Sequence, residues 1–258
     1  MRELNSLFRK RICISEDEKI TFGTLDNILE KTAYNIPFEN LCVIENKTND
    51  ITKENLMNKI LLQKEGGLCY ELNSMFYLFL IENGFNASLV RGVVYNHENQ
   101  RYQTIGRNHA TILIIHDEQT YLIDTGFGAN LPLKPVPLTG ETITSTNGEF
   151  RIEKVNTEHG DYILHIKLKH KDPDWRIGYA FDSKRTVTDL LELNEIQSSI
   201  SEHPESPFNK NPLITRLTSE GSITLTDSSF TQWVDGNLTK EKIDYARFKE
   251  LSKQHFGI

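Results

Sequence analysis

The sequence is poor in cysteine. Its 258 residues contain three, Cys13, Cys42 and Cys69, which lie far apart. An odd number of widely spaced cysteines makes no disulfide framework, which predicts a protein of a reducing compartment, the cytoplasm. The chain also lacks an excess of positive charge, because 29 Lys and Arg stand against 36 Asp and Glu and give a net charge of −7. Nucleic acid is not an expected partner, since binding its phosphates needs clustered positive charge.

Long hydrophobic runs are missing as well. No stretch approaches the roughly 20 apolar residues that a membrane-spanning helix needs, so we expect no membrane partner. The charged beginning, MRELNSLFRKRICISEDEK, is not followed by the apolar segment of a signal peptide. What remains is the composition of an ordinary globular protein, 38% hydrophobic and 25% charged. The length suits one large domain or two to three small ones.

Helical patterns dominate the first part of the chain, and β-rich patterns follow from about residue 87. The clearest helix is Cys69–Asn83, where apolar residues recur at i, i+3, i+4 and i+7. Shorter helical patterns cover Asn27–Tyr34 and Thr52–Leu62. Six short β-rich runs separated by turn residues then predict an antiparallel sheet or barrel: Ser88–Tyr95, His109–Ile115, Tyr121–Asp124, Phe150–Val155, Tyr162–Lys169 and Arg176–Phe181.

The last part of the chain mixes both patterns. We predict a helix over Leu190–Ser198 and two strands, Leu213–Thr218 and Ser222–Thr226, joined by a turn at Glu220-Gly221. A final helix is predicted over Lys240–His255. Helices, then strands, then a mixed piece are typical of an α+β protein and not of alternating βαβ units.

Cys69 is the first candidate for chemistry. It follows Gly66-Gly67 at the predicted start of the amphipathic helix, where free N–H groups and partial positive charge favour a thiolate, the nucleophilic form of cysteine. The paired glycines would let the backbone approach a ligand closely. The alternative is that Cys69 is a small buried hydrophobic residue and the glycines merely form a loop.

His109 and Asp124 are the other two candidates. His109 opens the apolar run His-Ala-Thr-Ile-Leu-Ile-Ile and could accept the thiol proton. Asp124 ends the run Tyr-Leu-Ile-Asp, at the distance of a hairpin, and could orient the imidazole. The alternatives are a capping or surface histidine and a turn aspartate. A cysteine at a helix start, a histidine on a strand and an aspartate on the next strand is the arrangement of papain-like cysteine enzymes.

Several segments resemble the arylamine N-acetyltransferase family. Gly-Gly-Leu-Cys-Tyr-Glu-Leu-Asn at 66–73 resembles its nucleophile motif, and Ile-Pro-Phe-Glu-Asn-Leu at 36–41 resembles the segment before it. The run that His109 opens and the Asp124-Thr-Gly-Phe-Gly segment match the histidine and aspartate motifs in type, order and spacing. Segments 203–208 and 216–221 resemble the linker and the C-terminal hairpin. The resemblance covers roughly residues 4 to 230.

The resemblance implies a fold and an activity. The α+β fold would have an N-terminal helical domain (1–88), a central antiparallel β-barrel (89–188) and a C-terminal α/β lid with its linker helix (189–258), around a papain-like Cys-His-Asp core. The activity would move an acetyl group from acetyl-coenzyme A, a co-substrate, to the nitrogen of an arylamine, arylhydroxylamine or hydrazine. Cys69 would carry the acetyl group, His109 would be the base, and Asp124 would orient it.

The resemblance also implies binding residues. Phe38 and Phe127 would line the aromatic acceptor pocket, and Gly126, Phe127 and Gly128 would contact the coenzyme, with no metal ion involved. A phenylalanine after Pro37 is more often a core residue than a ligand contact, whereas Phe127, between two glycines, suits a surface that faces a ligand.

Two positions depart from the family pattern. The family usually has an arginine immediately before Gly-Gly, where this chain has Glu65 beside Lys64, and it often has a further glycine where this chain has Ala129. Glu65 either faces the site and opposes the thiolate, or points to solvent while Lys64 turns inward. Two other functions stay open: a cysteine hydrolase or transglutaminase-like enzyme on the same triad, and a non-catalytic binding protein on this scaffold.

Overall fold

The structure is a computed structural model that describes residues 3–258. Helices make up its first layer, and their apolar faces share one core with helix α5 at its centre. Helix α5 begins at Cys69, where the apolar spacing predicts it. The helices are α1 Glu3–Arg11, α2 Leu25–Asn35, α3 Leu41–Ile44, α4 Lys53–Leu56 with a wider turn over Met57–Leu62, and α5 Cys69–Glu82; the short strand β1 Phe38–Glu39 lies between α2 and α3.

An antiparallel sheet of nine strands forms the second layer. The order is β6-β5-β4-β2-β10-β9-β8-β7, with β3 beside β2, and strands β6 and β8 come close enough to nearly close the barrel. Apolar side chains, among them Phe150 and Phe181, fill its interior. The strands are β2 Asn86–Asn96, β3 Arg101–Tyr102, β4 His109–His116, β5 Gln119–Ile123, β6 Val136–Pro137, β7 Ile143–Ser145, β8 Gly148–Thr157, β9 Gly160–Leu168 and β10 Arg176–Val187.

The last part of the chain packs back against the first part. Strand β1 pairs with β11, so the second sheet has the order β1-β11-β12-β13-β14. Helix α6 packs into the first helical core through Ile196 and Ile200. The elements are a 3-10 turn Leu190–Leu193, α6 Asn194–Glu202, β11 Leu213–Thr218, β12 Gly221–Thr226, β13 Ser229–Val234, β14 Asn237–Lys242, α7 Tyr245–Leu251 and a final wide turn Ser252–Phe256.

The predicted last helix is wrong in its first part. Lys240 to Lys242 belong to β14, which pairs with β13 in a hairpin. The turn of that hairpin, Asp235-Gly236, has two positive φ angles, 46° and 81°, and this dipeptide is a strong hairpin signal that the helical reading overlooked. Helix α7 begins only after Asp244, whose side chain accepts a hydrogen bond from the N–H of Arg247 at 2.9 Å.

The predicted α+β class and antiparallel barrel are confirmed. The domain boundaries at 88/89 and 188/189 stay predictions, since β2 begins at Asn86 and β1 and α6 tie the first and last parts of the chain together. Within residues 3–258, none of the helices has the length and apolar character that crossing a bilayer requires.

Candidate active site

Cys69 is the first residue of α5, and its side chain is almost fully buried. Glu71 closes the first turn of the helix, because its Oε2 accepts a hydrogen bond from the N–H of Leu68 at 2.9 Å. The Sγ of Cys69 lies 3.5 Å from the carbonyl oxygen of Asn108. The first N–H groups of a helix have no partners within it, so free hydrogen-bond donors lie at this position.

The paired glycines before Cys69 make room for protein and not for a ligand. A Cβ on Gly66 would collide with the carbonyl oxygen of Pro37, and a Cβ on Gly67 would lie 2.8 Å from Oε2 of Glu71. The carbonyl oxygen of Gly67 accepts a hydrogen bond from the N–H of Glu39 at 3.0 Å. The expectation that these glycines bring backbone against a ligand is therefore wrong; they let β1 approach the start of α5.

His109 and Asp124 meet at the edge of the barrel that faces Cys69. Strands β4 and β5 are antiparallel neighbours, His109 begins β4, and Asp124 follows β5. The Nε2 of His109 lies 2.7 Å from Oδ2 of Asp124, and both side chains are buried. Cys69 is close enough to raise the pKa of the imidazole, and its Sγ approaches Asn108, the residue before His109. The structure thus brings together the three residues that the sequence singles out.

Burial and neighbouring groups shift the pKa values of His109 and Asp124. Burial alone would lower the pKa of His109, but the Asp124 carboxylate, followed by Cys69, outweighs burial and raises the pKa to about 10. Burial likewise opposes the charge on Asp124, yet His109 and the hydrogen bonds around the carboxylate bring its pKa below the ordinary value. The arrangement favours a protonated imidazole beside the Asp124 carboxylate.

Three further groups hold the Asp124 carboxylate. Its Oδ1 accepts hydrogen bonds from Nδ2 of Asn73 at 2.9 Å and from the N–H of Gly126 at 2.8 Å. Its Oδ2 accepts a hydrogen bond from the hydroxyl of Tyr179 at 2.7 Å. Asn73 lies one turn after Cys69 on the same helix, so it ties the nucleophile's helix to the aspartate's strand.

Aromatic rings surround the triad. The ring centroid of Phe127 lies 5.1 Å from that of His109, and Phe127 is half-buried. Phe38 is more deeply buried and packs edge-on against Phe208, with 5.5 Å between ring centroids. Phe38 lies near the residue after Phe127, since a Cβ added to Gly128 would lie 3.9 Å from Cδ1 of Phe38.

The two candidate glycines of the coenzyme site differ. Gly126 is buried, and a Cβ there would lie 2.6 Å from Cα of Cys69, so its missing side chain makes room for the start of α5. Gly128 has a positive φ of 59°, a conformation that glycine adopts without strain, and no atom crowds its Cβ position. The structure therefore offers backbone access to a ligand at Gly128 but not at Gly126. Among residues 3–258 no group of three or more His, Cys, Asp and Glu is placed to hold a metal ion.

Comparison with known proteins agrees with this geometry. A family model described as N-acetyltransferase matches residues 21–258. An acetyltransferase of Bacillus subtilis (strain 168) is 40% identical over 242 residues, which are 93% of each chain. The chain belongs to the arylamine N-acetyltransferase family.

Two solved structures share the fold throughout. Arylamine N-acetyltransferase C from Bacillus anthracis is 40% identical, with a TM-score of 0.95 over 100% of this chain and 99% of that one. An arylamine N-acetyltransferase from Bacillus cereus is 42% identical, with the same TM-score and coverage, and is described as having a Cys-His-Glu catalytic triad. This acetyltransferase is thus an acyltransferase enzyme, which the sequence predicts.

Sequence reasoning missed three residues of the site. Asn73 lies within the segment that resembles the nucleophile motif, but its hydrogen bond to Asp124 is seen only in the structure, where it lies one helical turn after Cys69. Tyr179 looks like a barrel core residue, and nothing near it in the sequence points to Asp124. Lys59, in the turn after α4, forms ion pairs with Glu39 and Glu71 beneath the nucleophile. Lys64, which the sequence offered as the inward cation, is exposed.

Proposed function

We propose that this acetyltransferase moves an acetyl group from acetyl-coenzyme A to the nitrogen of an arylamine, arylhydroxylamine or hydrazine through an acetyl thioester on Cys69. The observation that carries the proposal is the Cys69–His109–Asp124 arrangement, with the sulfur at a helix start and close to the imidazole. A direct transfer between two bound substrates would need positioning only, and no such nucleophile.

In the first half-reaction, the sulfur of Cys69 attacks the carbonyl carbon of the donor thioester. The bond from that carbon to the coenzyme sulfur breaks, and the departing sulfur takes the proton that His109 holds. Since Nε2 of His109 is occupied by Asp124, Nδ1 is the nitrogen that exchanges the proton. The free N–H groups at the start of α5 face the developing negative charge on the carbonyl oxygen.

In the second half-reaction, the acceptor nitrogen attacks the acetyl carbon on Cys69. The bond from carbon to Cys69 sulfur breaks, the nitrogen loses its proton to His109, and the acetylated product leaves. Asp124 stays ionised throughout and stabilises the imidazolium. In the Bacillus cereus protein the third triad residue is a glutamate; here Asp124 would supply the carboxylate.

Two aromatic residues, Phe127 and Phe38, are the proposed binding residues for the acceptor. Phe127 would contact the aromatic acceptor because its ring lies beside His109, and Phe38 would contact it near Gly128, where an added Cβ would lie 3.9 Å from Cδ1 of Phe38. The backbone at Phe127 and Gly128 would contact the pantetheine arm of the coenzyme. All three cysteines are free, which supports a location in the reducing cytoplasm.

Intact-protein mass spectrometry tests the proposal. Acetyl-coenzyme A without an acceptor should add one acetyl group to the wild type and none to Cys69→Ala, whereas Cys42→Ala, the matched control, should still be acetylated. Parallel double-reciprocal lines are expected with an arylamine acceptor.

Two outcomes would contradict the proposal. Product formed without an acetylated intermediate would eliminate the covalent path and leave a transfer between two bound substrates. Neither adduct nor product with any small acyl-coenzyme A would refute the donor class.

A further inference from the structure

A buried cluster of charged side chains lies beside the start of α5, where Cys69 is the first residue. The Nζ of Lys59 is 2.6 Å from Oε1 of Glu71 and 3.3 Å from Oε1 of Glu39. The side chains of Lys59, Glu71 and Glu39 are 14%, 11% and 2% exposed. Water therefore screens these charges little, and the single cation is what allows two carboxylates to share the site.

Both acidic residues of the cluster also hydrogen-bond to backbone, Glu71 at the residue before Cys69 and Glu39 at Leu41 and Gly67. Glu71 accepts the hydrogen bond from the N–H of Leu68, the residue before Cys69, at 2.9 Å. Glu39 accepts one from the N–H of Leu41 at 2.6 Å, and its own N–H donates to the carbonyl oxygen of Gly67. Through these bonds Lys59 connects three separate segments: the turn after α4, strand β1 and the start of α5.

Residue 65 lies at the border of the same cluster. The N–H of Glu65 donates to the carbonyl oxygen of Lys59 at 3.1 Å. The carboxylate of Glu65 lies 3.9 Å from the Sγ of Cys42. Burial, and then Glu39, Glu71 and Glu65, outweigh Lys59 and raise the pKa of Cys42 to about 11. Residue 65 and the cluster thus share Cys42 as a neighbour, and an arginine at 65 would bring a second cation to the border of the cluster.

We propose that Lys59 is the residue that positions the nucleophile Cys69. It supplies the positive charge that an arginine at position 65, immediately before Gly66, could otherwise provide. Lys59 touches neither substrate; it acts through Glu39 and Glu71 on the backbone of 66–69. This inference rests on the proposed role of Cys69. The negative charge of Glu65 is tolerated because Lys59, in the turn after α4, supplies the required positive charge.

Removing the cation disturbs the nucleophile in a definite way. Two buried carboxylates would then face each other, so one must take up a proton or turn toward water. If Glu71 turns, the N–H of Leu68 loses its acceptor and the first turn of α5 loosens. Because small misplacements of a reacting group reduce rates strongly, the loss is expected in turnover and not in substrate binding.

The test compares Lys59→Met, Lys59→Arg and the double variant Lys59→Met/Glu65→Arg. Methionine keeps the apolar stem of lysine and removes only the charge. Lys53→Met is the matched control, because Lys53 forms an ion pair of 2.8 Å with Glu82 at the opposite end of α5. The readouts are kcat and KM for acetyl transfer, and the rate of Cys69 alkylation by iodoacetamide measured against the exposed Cys13.

Lys59→Met should lower kcat and the alkylation rate of Cys69 by about 10- to 100-fold with KM changed less than about threefold. Lys59→Arg, the double variant and Lys53→Met should stay within about fivefold of the wild type. Should Lys59→Met not fold, recovery of folded, alkylatable protein in the double variant carries the same conclusion.

The proposal is overturned if Lys59→Met matches the wild type, or if the double variant is no better than Lys59→Met. A wild type that alkylates at Cys69 but transfers no acetyl group would refute the proposed function alone, because alkylation reports the placement of Cys69 without any donor.

Discussion

Cys69 lies between two buried polar networks that are built differently. On one side a single carboxylate, Asp124, accepts four hydrogen bonds, two on each oxygen. On the other side two carboxylates share the one cation of Lys59, and Oε1 of Glu39 has that cation at ion-pair distance without a well-aligned hydrogen bond. The first network is saturated with donors, whereas the second depends on one charge.

The difference separates two tasks. The donors around Asp124 keep a negative charge beside an imidazole that must gain and lose a proton, so this network serves the chemistry. The Lys59 network touches only backbone near the nucleophile, so it serves placement. Removing the charge of Asp124 should therefore have the largest effect on turnover, and removing one of its neutral donors a smaller one.

The largest effect is expected for Asp124→Asn. The amide keeps the shape of the carboxylate but cannot stabilise an imidazolium, so activity should fall by about 10⁴-fold in a protein that still folds. Asp124→Glu keeps the charge and should lose far less. Steady-state rates and circular dichroism of both variants check this, and an Asp124→Asn protein that does not fold at neutral pH would make Asp124 a structural residue.

Asn73→Ala should come next. Nδ2 of Asn73 donates to the carbonyl oxygen of Ala110 and to Asp124, and its Oδ1 accepts from the N–H of Thr125. Truncation takes the side-chain partner from two buried backbone groups, the carbonyl oxygen of Ala110 and the N–H of Thr125, which costs about 2–6 kcal/mol at roughly 1–3 kcal/mol per group. Urea denaturation measures the loss. Ser74→Ala, whose hydroxyl bonds only within α5 to Tyr70, should lose about 1 kcal/mol; equal losses would mean that Asn73 holds only its own helix.

The triad was predictable because each member stands where a regular pattern starts or stops. Cys69 begins a helix that the apolar spacing defines, and His109 and Asp124 bound two strands close enough in sequence to pair. Their partners were not predictable by the same means. Tyr179 reaches Asp124 because β10 lies next to β2 and β2 next to β4, and this strand order is set by packing of the whole barrel.

The end of the chain shows a different limit. Residues 240–242, Lys-Glu-Lys, have good helix propensity, yet they pair with Ser229 to Thr231 as the edge strand of a sheet. The decisive local signal was the Asp235-Gly236 turn, which specifies a hairpin whatever the propensity of the residues that follow. Turn chemistry therefore outweighs helix propensity in this segment.

The His109–Asp124 pair also predicts how stability depends on pH. Asp124 raises the pKa of His109 in the folded protein, so the pair stabilises fully below the ordinary histidine pKa and loses this contribution as the pH rises through the folded value. In Cys69→Ala, which removes the competing thiol proton, the free energy of unfolding should fall by up to about 1.4 kcal/mol per pH unit between pH 7 and 8.

Denaturant titrations at pH 6, 7 and 8 measure that slope. The variant Cys69→Ala/Asp124→Asn is the control and should have a flatter profile, because its His109 lacks the anionic partner. Identical slopes in the two variants would show that the carboxylate does not hold the imidazole proton.

The smallest effect is expected for Tyr179→Phe. This variant shows how much the neutral donors to Asp124 contribute compared with its negative charge. The change removes one neutral donor from Oδ2 of Asp124 and keeps the ring, which packs on His109 with 4.4 Å between centroids. The loss of stability should be about 0.5–1.5 kcal/mol, and activity should fall less than about tenfold. Tyr162→Phe, which changes a barrel tyrosine stacked on Phe181, is the control. If Tyr179→Phe were instead as inactive as Asp124→Asn, the neutral donors would matter as much as the charge, and the contrast between a saturated network and a single-charge network would fail.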